Sequence, residues 1–179
     1  MSRISPVDPA KAEGKARDLL AAVHKALGVT PNVFRVAAQS PATLEGLLNL
    51  NGALAGGTLD AKIREAIALA VAQQNGCDYC LSAHVVLGKR AGLSEADITL
   101  ARQGSASEGK AAAAVGLAKA VVQRRGMVSE GEIAEAGRAG LSEAEIVEVV
   151  GNVVVNIFTN YLNHVARTEV DFPVIRAAA

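Results

Sequence analysis

Two cysteines and one histidine stand at spacings that could support thiol chemistry. Cys77, Cys80 and His84 occupy positions i, i+3 and i+7, so a helix would place all three on one face. A thiol attacks only as the thiolate, which a helix N-terminus and a nearby imidazolium both favour. We expect Cys77 to gain from the helix dipole and Cys80 from His84, while Asp78 opposes ionisation by like-charge repulsion. A second thiol one turn away can also resolve a sulfenic acid as a disulfide before overoxidation.

Glu65 is the fourth candidate, as a proton shuttle. It directly precedes Ala66–Ala72, a stretch that would be apolar all round a helix and should therefore be buried. Burial makes a carboxyl group easier to protonate near neutral pH, which suits proton transfer. The alternative is an ordinary ion pair with Arg64 or Lys62 at an exposed helix start, and Glu65 taken alone does not decide between the two.

A CxxC pair also occurs in metal sites and in thioredoxin-type proteins. A zinc site would need a further ligand, but there is no second CxxC, and His24 and His164 are far away in the sequence. Ligands at i, i+3 and i+7 of one helix also converge poorly on a tetrahedron, so we predict no metal site. A thioredoxin-type fold needs βαβ units, and no segment shows the sustained period-two alternation of a strand.

The composition of the 179 residues favours a soluble all-α protein. Half of the chain is apolar but only 3% is aromatic, which suits closely packed helices. The 18 basic and 18 acidic residues balance, and no basic stripe indicates nucleic-acid binding. We find neither a membrane-length apolar run nor a signal core, and two cysteines do not make a secreted disulfide framework. We therefore expect a cytoplasmic protein without membrane or nucleic-acid partners.

Helix start and stop signals place the motif on a pair of helices. Asp60 predicts a helix over 60–75 that ends before Gly76, and a second helix begins near Cys77 and runs to about Arg90, with Gly92 as its stop. Similar signals predict further helices from Asp8-Pro9 to Gly28, from Ser40-Pro41 toward Gly56-Gly57, and from about Ser142 to Glu169. We therefore predict one helical-bundle domain over residues 1–179, with about seven to nine helices and a redox core at 60–92.

One internal repeat is visible. RAGLSEADI at 90–98 and RAGLSEAEI at 138–146 are 48 residues apart, and each predicts a helix stop followed by a capping box. The same shift puts Arg125, Val128 and Glu132 where the two cysteines and His84 stand. Either the chain contains a helix-turn-helix duplication whose second copy lacks the chemistry, or it uses one local device twice.

The last predicted helix carries a polar stripe. Its members lie within about a third of the helix circumference, and they are Asn152, Asn156, Asn160, Asn163 and His164. A solvated face is the simpler interpretation, and an amide-lined contact inside an oligomer or beside the active site is the alternative. Because the chain has little aromatic mass for a core, we expect a homo-oligomer with this helix at or near a subunit boundary.

The spacing Glu65, Cys77-x-x-Cys80, His84 resembles the core motif of the alkylhydroperoxidase D (AhpD)-like branch of the carboxymuconolactone decarboxylase superfamily. PNVFRVAAQSP at 31–41, AGLSEADI after the motif and FTNYLNHVARTEVDFP at 158–173 extend the resemblance along nearly the whole chain.

The resemblance implies an AhpD-like all-helical fold that assembles into trimers or hexamers, and a peroxide reductase mechanism that passes through a disulfide. Cys80 would then be the attacking thiol and Cys77 the resolving thiol, with His84 and Glu65 as the proton relay. No bound cofactor is implied. The reductant would be an external thiol, for which the resemblance suggests a lipoyl-bearing protein, with a peroxiredoxin as a further partner.

One position departs from the best-known members, which carry a His directly before the second Cys where this chain has Tyr79. A phenol with a pKa near 10 cannot replace an imidazole as a base at neutral pH, although it can donate a hydrogen bond. We expect a thiol-dependent peroxidase or disulfide reductase. The alternatives are a carboxymuconolactone decarboxylase-like lyase, which would leave the cysteines unexplained, and a non-catalytic redox sensor.

Overall fold

The computed structural model describes residues 2–107 and 109–177, and within them the chain forms nine helices and no strand. The all-α class predicted from composition and patterning is confirmed. In chain order the helices are α1 (Gly14–Leu27), α2 (Asn32–Ala37), α3 (Pro41–Ala55), α4 (Ala61–Gln74), α5 (Asp78–Ala91), α6 (Glu95–Gln103), α7 (Gly109–Arg124), α8 (Glu130–Arg138) and α9 (Glu143–Ala166).

Helix α4 lies at the centre of the fold and packs against α5, α6, α7 and α9. It begins where Asp60 accepts a hydrogen bond from the Ile63 N–H at 2.9 Å. Every residue of 66–72 is buried, as the apolar run predicted. A smaller apolar cluster joins α1, α2 and α3, and its buried members are Leu20, Ala37, Ala38 and Leu44.

Capping boxes fix the starts of three helices. The repeated segments 90–98 and 138–146 both form the predicted box, at the starts of α6 and α9. A third box, between Ser129 and Glu132, opens α8 and was not identified from the sequence. In each box the serine and acidic side chains satisfy amide groups that a helix start leaves unpaired.

The predicted helix start at Asp8-Pro9 is wrong. Asp8 instead closes a local turn, accepting hydrogen bonds from the Ala10 and Lys11 N–H groups. The Val7 N–H donates to the Arg35 carbonyl at 3.0 Å and so ties this stretch to α2. Because these hydrogen bonds hold the chain outside a helix, α1 begins only at Gly14.

The last helix also ends earlier than predicted, at Ala166 instead of Glu169. Arg167 adopts a left-handed backbone with φ 48°, and the Thr168 N–H donates to the Asn163 carbonyl at 3.2 Å. After this turn, the C-terminal segment crosses back over α5.

The loop between α3 and α4 binds the carboxylate of Glu148 from α9. The Thr58 N–H lies 2.9 Å from both carboxylate oxygens, its hydroxyl donates at 3.0 Å, and the Leu59 N–H donates at 3.0 Å. These hydrogen bonds lower the pKa of Glu148. They tie the longest helix to the start of α4.

Replacing Gly57 with Ala should lower the free energy of unfolding by about 1–3 kcal/mol. A Cβ at this position would stand 2.6 Å from Glu148 Oε2, so the carboxylate must move and its donors lose their acceptor. Urea unfolding measures the loss. Gly56→Ala is the matched control, since its Cβ meets nothing nearer than the Ala53 carbonyl at 3.6 Å. Equal losses for the two variants would contradict this account.

Candidate active site

The turn between α4 and α5 places the CxxC motif at a helix N-terminus. Gly76 adopts φ +65°, a left-handed conformation that glycine accepts without strain. The Cys77 N–H then donates back to the Ala72 carbonyl at 2.9 Å. Cys77 becomes the N-cap of α5, and its Sγ accepts from the Cys80 N–H at 3.3 Å. The motif therefore lies at the positive end of the helix dipole.

The two thiols are free, buried and in contact. Cys77 Sγ lies 2.6 Å from Cys80 Sγ, and the residues are 2% and 3% exposed. The hydrogen bond from Cys77 lowers the pKa of Cys80 despite burial, with help from Asn163 and the charge of His84. The same hydrogen bond, together with burial, raises the pKa of Cys77. Cys80 is therefore the thiol that ionises first, while Cys77 keeps its proton.

His84 on α5 pairs with Glu65 on α4. His84 Nδ1 lies 2.8 Å from Glu65 Oε2, and the side chains are 20% and 22% exposed. Burial alone would lower the pKa of His84, but the charge and hydrogen bond of Glu65 outweigh it and raise the pKa. Glu65 is thus half-buried instead of fully buried, yet it contacts His84 as predicted. Its neighbour Arg64 turns away and donates to the Leu59 carbonyl.

The asparagines of the α9 stripe are buried and two of them lie beside the thiols, so the solvated-face interpretation is wrong. Asn163 Nδ2 donates to Cys80 Sγ at 3.3 Å. One turn earlier, Asn160 Oδ1 accepts from Asn75 Nδ2 at 2.8 Å. Only His164 remains exposed, with Nε2 3.0 Å from the Asn75 carbonyl. The buried members are Asn152, Asn156, Asn160 and Asn163.

The C-terminal segment, 168–177, crosses the first turn of α5. Arg176 Nη1 lies 2.6 Å from Asp78 Oδ2, and the Ala177 N–H donates to Asp78 Oδ1 at 2.8 Å. Burial alone would raise the pKa of Asp78, but these two partners lower it. The carboxylate that was expected to oppose thiol ionisation is therefore paired with Arg176. Sequence reasoning missed Arg176, since 98 residues separate it from Asp78.

Tyr79 is buried and contacts two other parts of the fold. It is 5% exposed, its hydroxyl accepts from the Val33 N–H at 3.1 Å, and its ring meets Phe172 edge-on at 5.7 Å. Burial raises the pKa of Tyr79, and the carboxylate of Asp171 adds to the rise. The phenol thus joins α2 and the C-terminal segment to α5, and it is not a base at neutral pH.

Metal-ligating side chains do not cluster in the described part of the chain. Nowhere in residues 2–107 and 109–177 do three His, Cys, Asp or Glu side chains converge in a way that could hold a metal ion. Over the same residues, no helix combines the length and the apolar character needed to span a bilayer. Two surface cavities of about 430 and 300 Å³ lie away from the thiols, one between α7 and α8 and one near the N-terminus.

The motif lies in a segment that matches a known protein family. Residues 41–123, which contain Glu65, both cysteines and His84, match the model of the carboxymuconolactone decarboxylase family. No curated protein matches the chain. The matched segment agrees with the family that the motif predicted, and the fold of the chain agrees with that of an AhpD-core protein.

Several solved structures share this fold. An AhpD-core, uncharacterized peroxidase-related protein from Ralstonia eutropha JMP134 superposes with a TM-score of 0.85 at 19% identity, over 95% of this chain and 92% of that one. A peroxidase-related protein from Silicibacter sp. TM1040 gives 0.78 at 16% identity, over 93% and 92%. The debrominase Bmp8 in complex with 2,3,4-tribromopyrrole gives 0.81 at 17% identity, over 96% and 92%. At such identities the likeness establishes the fold alone.

Proposed function

We propose that this chain is a thiol-dependent peroxidase in which Cys80 attacks a hydroperoxide and Cys77 resolves the product. The observation that carries the proposal is the asymmetry of the thiol pair. One sulfur has a lowered pKa and the other a raised pKa, and the two are in contact. A nucleophile needs the first property, and a resolving thiol beside it completes the cycle.

The steps balance with a dithiol as the external reductant. The Cys80 thiolate forms an S–O bond to the peroxide while the O–O bond breaks, giving a sulfenic acid and an alkoxide that takes a proton. The Cys77 sulfur then attacks the Cys80 sulfur, water leaves, and a disulfide remains. A dithiol of the lipoyl class reduces this disulfide by exchange and is itself oxidised.

Glu65 and His84 supply the proton in this scheme. The raised pKa of His84 favours the charged form of its imidazole, and that charge favours the Cys80 thiolate. An imidazolium held in place by a carboxylate is also a suitable general acid for the departing alkoxide. The general acid, His84, and the nucleophile, Cys80, thus lie on neighbouring turns of α5.

Three other functions of the same site can be distinguished from a peroxidase by whether they consume peroxide and whether they need the thiols. A redox sensor would form the disulfide without sustained consumption of peroxide, and a lyase would be indifferent to the thiols. A disulfide reductase would exchange with disulfides without consuming peroxide. The debrominase neighbour binds a brominated pyrrole, so that compound belongs in the same substrate panel.

The protein should consume hydrogen peroxide catalytically with dihydrolipoamide, one equivalent of dithiol per peroxide. Mass spectrometry after mild peroxide, without reductant, should show the loss of two hydrogens within the one peptide that carries both cysteines. The thiol contact provides the reason, because the sulfurs meet without a change of fold. Two thiols that stay free after oxidant challenge, or a single turnover that no dithiol restores, would sink the peroxidase proposal.

A homo-oligomer belongs to the same proposal, but through a different face of α9 than the sequence suggested. The asparagines are buried within the protomer, whereas the opposite side carries an uncharged apolar stripe between 37% and 70% exposed. The stripe is nearly symmetric about Asn156, because its members pair off at equal or nearly equal distances on either side. They are Val147, Val150, Val154, Phe158, Tyr161 and Val165.

A second copy of this chain is the partner that such symmetry fits. Antiparallel packing about a two-fold axis would set Val154 of one copy against Phe158 of the other, an isologous contact. A two-fold contact builds even-numbered assemblies, so the hexamer is the expected member of the trimer-or-hexamer pair. Val154→Lys should reduce the mass measured by light scattering. Val174→Lys, at an equally exposed valine outside the stripe, should not, and equal behaviour of the two would refute the contact.

A further inference from the structure

Two buried amides at the thiols each keep one polar atom unpaired. Asn160 and Asn163 are 0% and 5% exposed. Among the described residues, Asn160 Nδ2 and Asn163 Oδ1 have no hydrogen-bond partner. Buried polar groups are nearly always paired, and an unpaired one costs about 1–3 kcal/mol. A free donor and a free acceptor at the reactive sulfur therefore indicate a ligand.

The surrounding contacts fix the orientation of both amides. Asn75 donates to Asn160 Oδ1, which leaves Asn160 Nδ2 as the free end. Asn163 Nδ2 donates to Cys80 Sγ, so the free Oδ1 of the same amide lies beside that sulfur. Both amides approach the Cys80 sulfur closely enough to help lower its pKa, although only Asn163 makes a well-formed hydrogen bond to it and Asn160 Nδ2 does not.

We propose that Asn160 and Asn163 bind the terminal OOH group of a hydroperoxide beside Cys80, a role that rests on the peroxidase function proposed above. A hydroperoxide donates one hydrogen bond through its O–H and accepts through its oxygens. These requirements match one free acceptor, Asn163 Oδ1, and one free donor, Asn160 Nδ2. A disulfide has no hydrogen to donate, so the amide pair selects peroxide over disulfide substrates.

The same two atoms act through the reaction. The Cys80 thiolate attacks the oxygen that carries the hydrogen, and the electron pair of the O–O bond leaves on the other oxygen. Asn160 Nδ2 donates to that oxygen as its negative charge develops, in the manner of an oxyanion hole. Asn163 Oδ1 keeps its hydrogen bond to the O–H, which is now that of the sulfenic acid. The sulfur loses two electrons and the peroxide gains two.

Two electrophiles separate this role from a general effect on thiol ionisation. Pseudo-first-order rates with hydrogen peroxide and with iodoacetamide are measured over pH for the wild type, Asn160→Ala and Asn163→Ala. Asn156→Ala is the matched control, since the side chain of this buried asparagine of the same stripe donates to the Asn152 carbonyl of its own helix. Asn160→Leu and Asn163→Leu, which fill the volume, replace any alanine variant that circular dichroism shows to be unfolded.

The comparison is made at a pH where Cys80 is fully ionised in every variant. There we expect the peroxide rate of Asn160→Ala to fall by about 100-fold, the effect of losing one oxyanion-hole donor. The peroxide rate of Asn163→Ala should also fall, because the O–H loses its acceptor, while the iodoacetamide rate of both variants changes less than about threefold. Parallel losses with both electrophiles, or no loss with either, would overturn the assignment and leave the peroxidase proposal intact. A wild-type protein that alkylates readily but ignores peroxide would overturn both.

Discussion

Cys80→Ser should abolish peroxide consumption, with a fall of at least about 1,000-fold, because it removes the nucleophile. The variant should keep its fold, since Ser nearly matches the buried thiol in size. It should also react slowly with iodoacetamide at neutral pH, because Cys77 stays buried, and burial both shields its sulfur and raises its pKa. Steady-state peroxide consumption with dihydrolipoamide measures the first effect, and alkylation followed by mass spectrometry measures the second.

Cys77→Ser is the matched partner of this variant, and it should lose a different step. A serine hydroxyl can still donate to Cys80 Sγ, so the thiolate and the first turnover should survive. Without a resolving thiol the oxidation stops at sulfenic acid, which dimedone traps as one adduct on Cys80. If dimedone instead labels Cys77 in the Cys80→Ser variant, the two roles are reversed.

The helices that carry the site could be predicted because their signals are local. Asp60 caps α4, Gly76 separates α4 from α5, and Gly92 ends α5, each within one or two residues of the predicted position. The apolar run 66–72 needed only its composition to indicate burial. Local sequence therefore positioned both cysteines and His84 on one helix face.

The contacts that tune the site could not be predicted, because they join distant parts of the chain. Asn163 approaches Cys80 across 83 residues, and Arg176 reaches Asp78 across 98. Four amides on an apolar helix did signal that something must pair with them, but the stripe itself does not say what. The predicted helix start at Asp8 was wrong for the same reason. A hydrogen bond from the Val7 N–H to the distant Arg35 carbonyl holds this stretch outside a helix.

Replacing Glu65, the partner of His84, should also slow the reaction with peroxide strongly. In Glu65→Gln the amide keeps the size and the hydrogen bond of Glu65 but removes its charge. Burial, which lowers the pKa of His84, is then opposed only by the charge of Cys80, so a smaller fraction of the imidazole is charged at neutral pH. Cys80 loses a positive neighbour, its pKa rises, and its thiolate fraction falls. We expect the peroxide rate at neutral pH to fall by about 100-fold, the usual size of a general-acid contribution.

The pH profile distinguishes this explanation from a loss of structure. The wild-type rate should rise as Cys80 ionises and fall as His84 deprotonates, and in Glu65→Gln these two limbs should move toward each other. Glu45→Gln, which removes an exposed carboxylate paired with Lys15 on the surface, should leave the profile unchanged.

The free energy of unfolding should also depend on the charge of His84. The raised pKa of His84 means that its pairing with Glu65 stabilises the fold fully below the unfolded pKa of about 6.5, and that this gain is lost as pH rises through the folded value. Urea unfolding should therefore separate wild type from Glu65→Gln more widely at pH 6 than at pH 9. A difference that stays constant, or grows toward pH 9, would mean that Glu65 does not act by holding His84 charged.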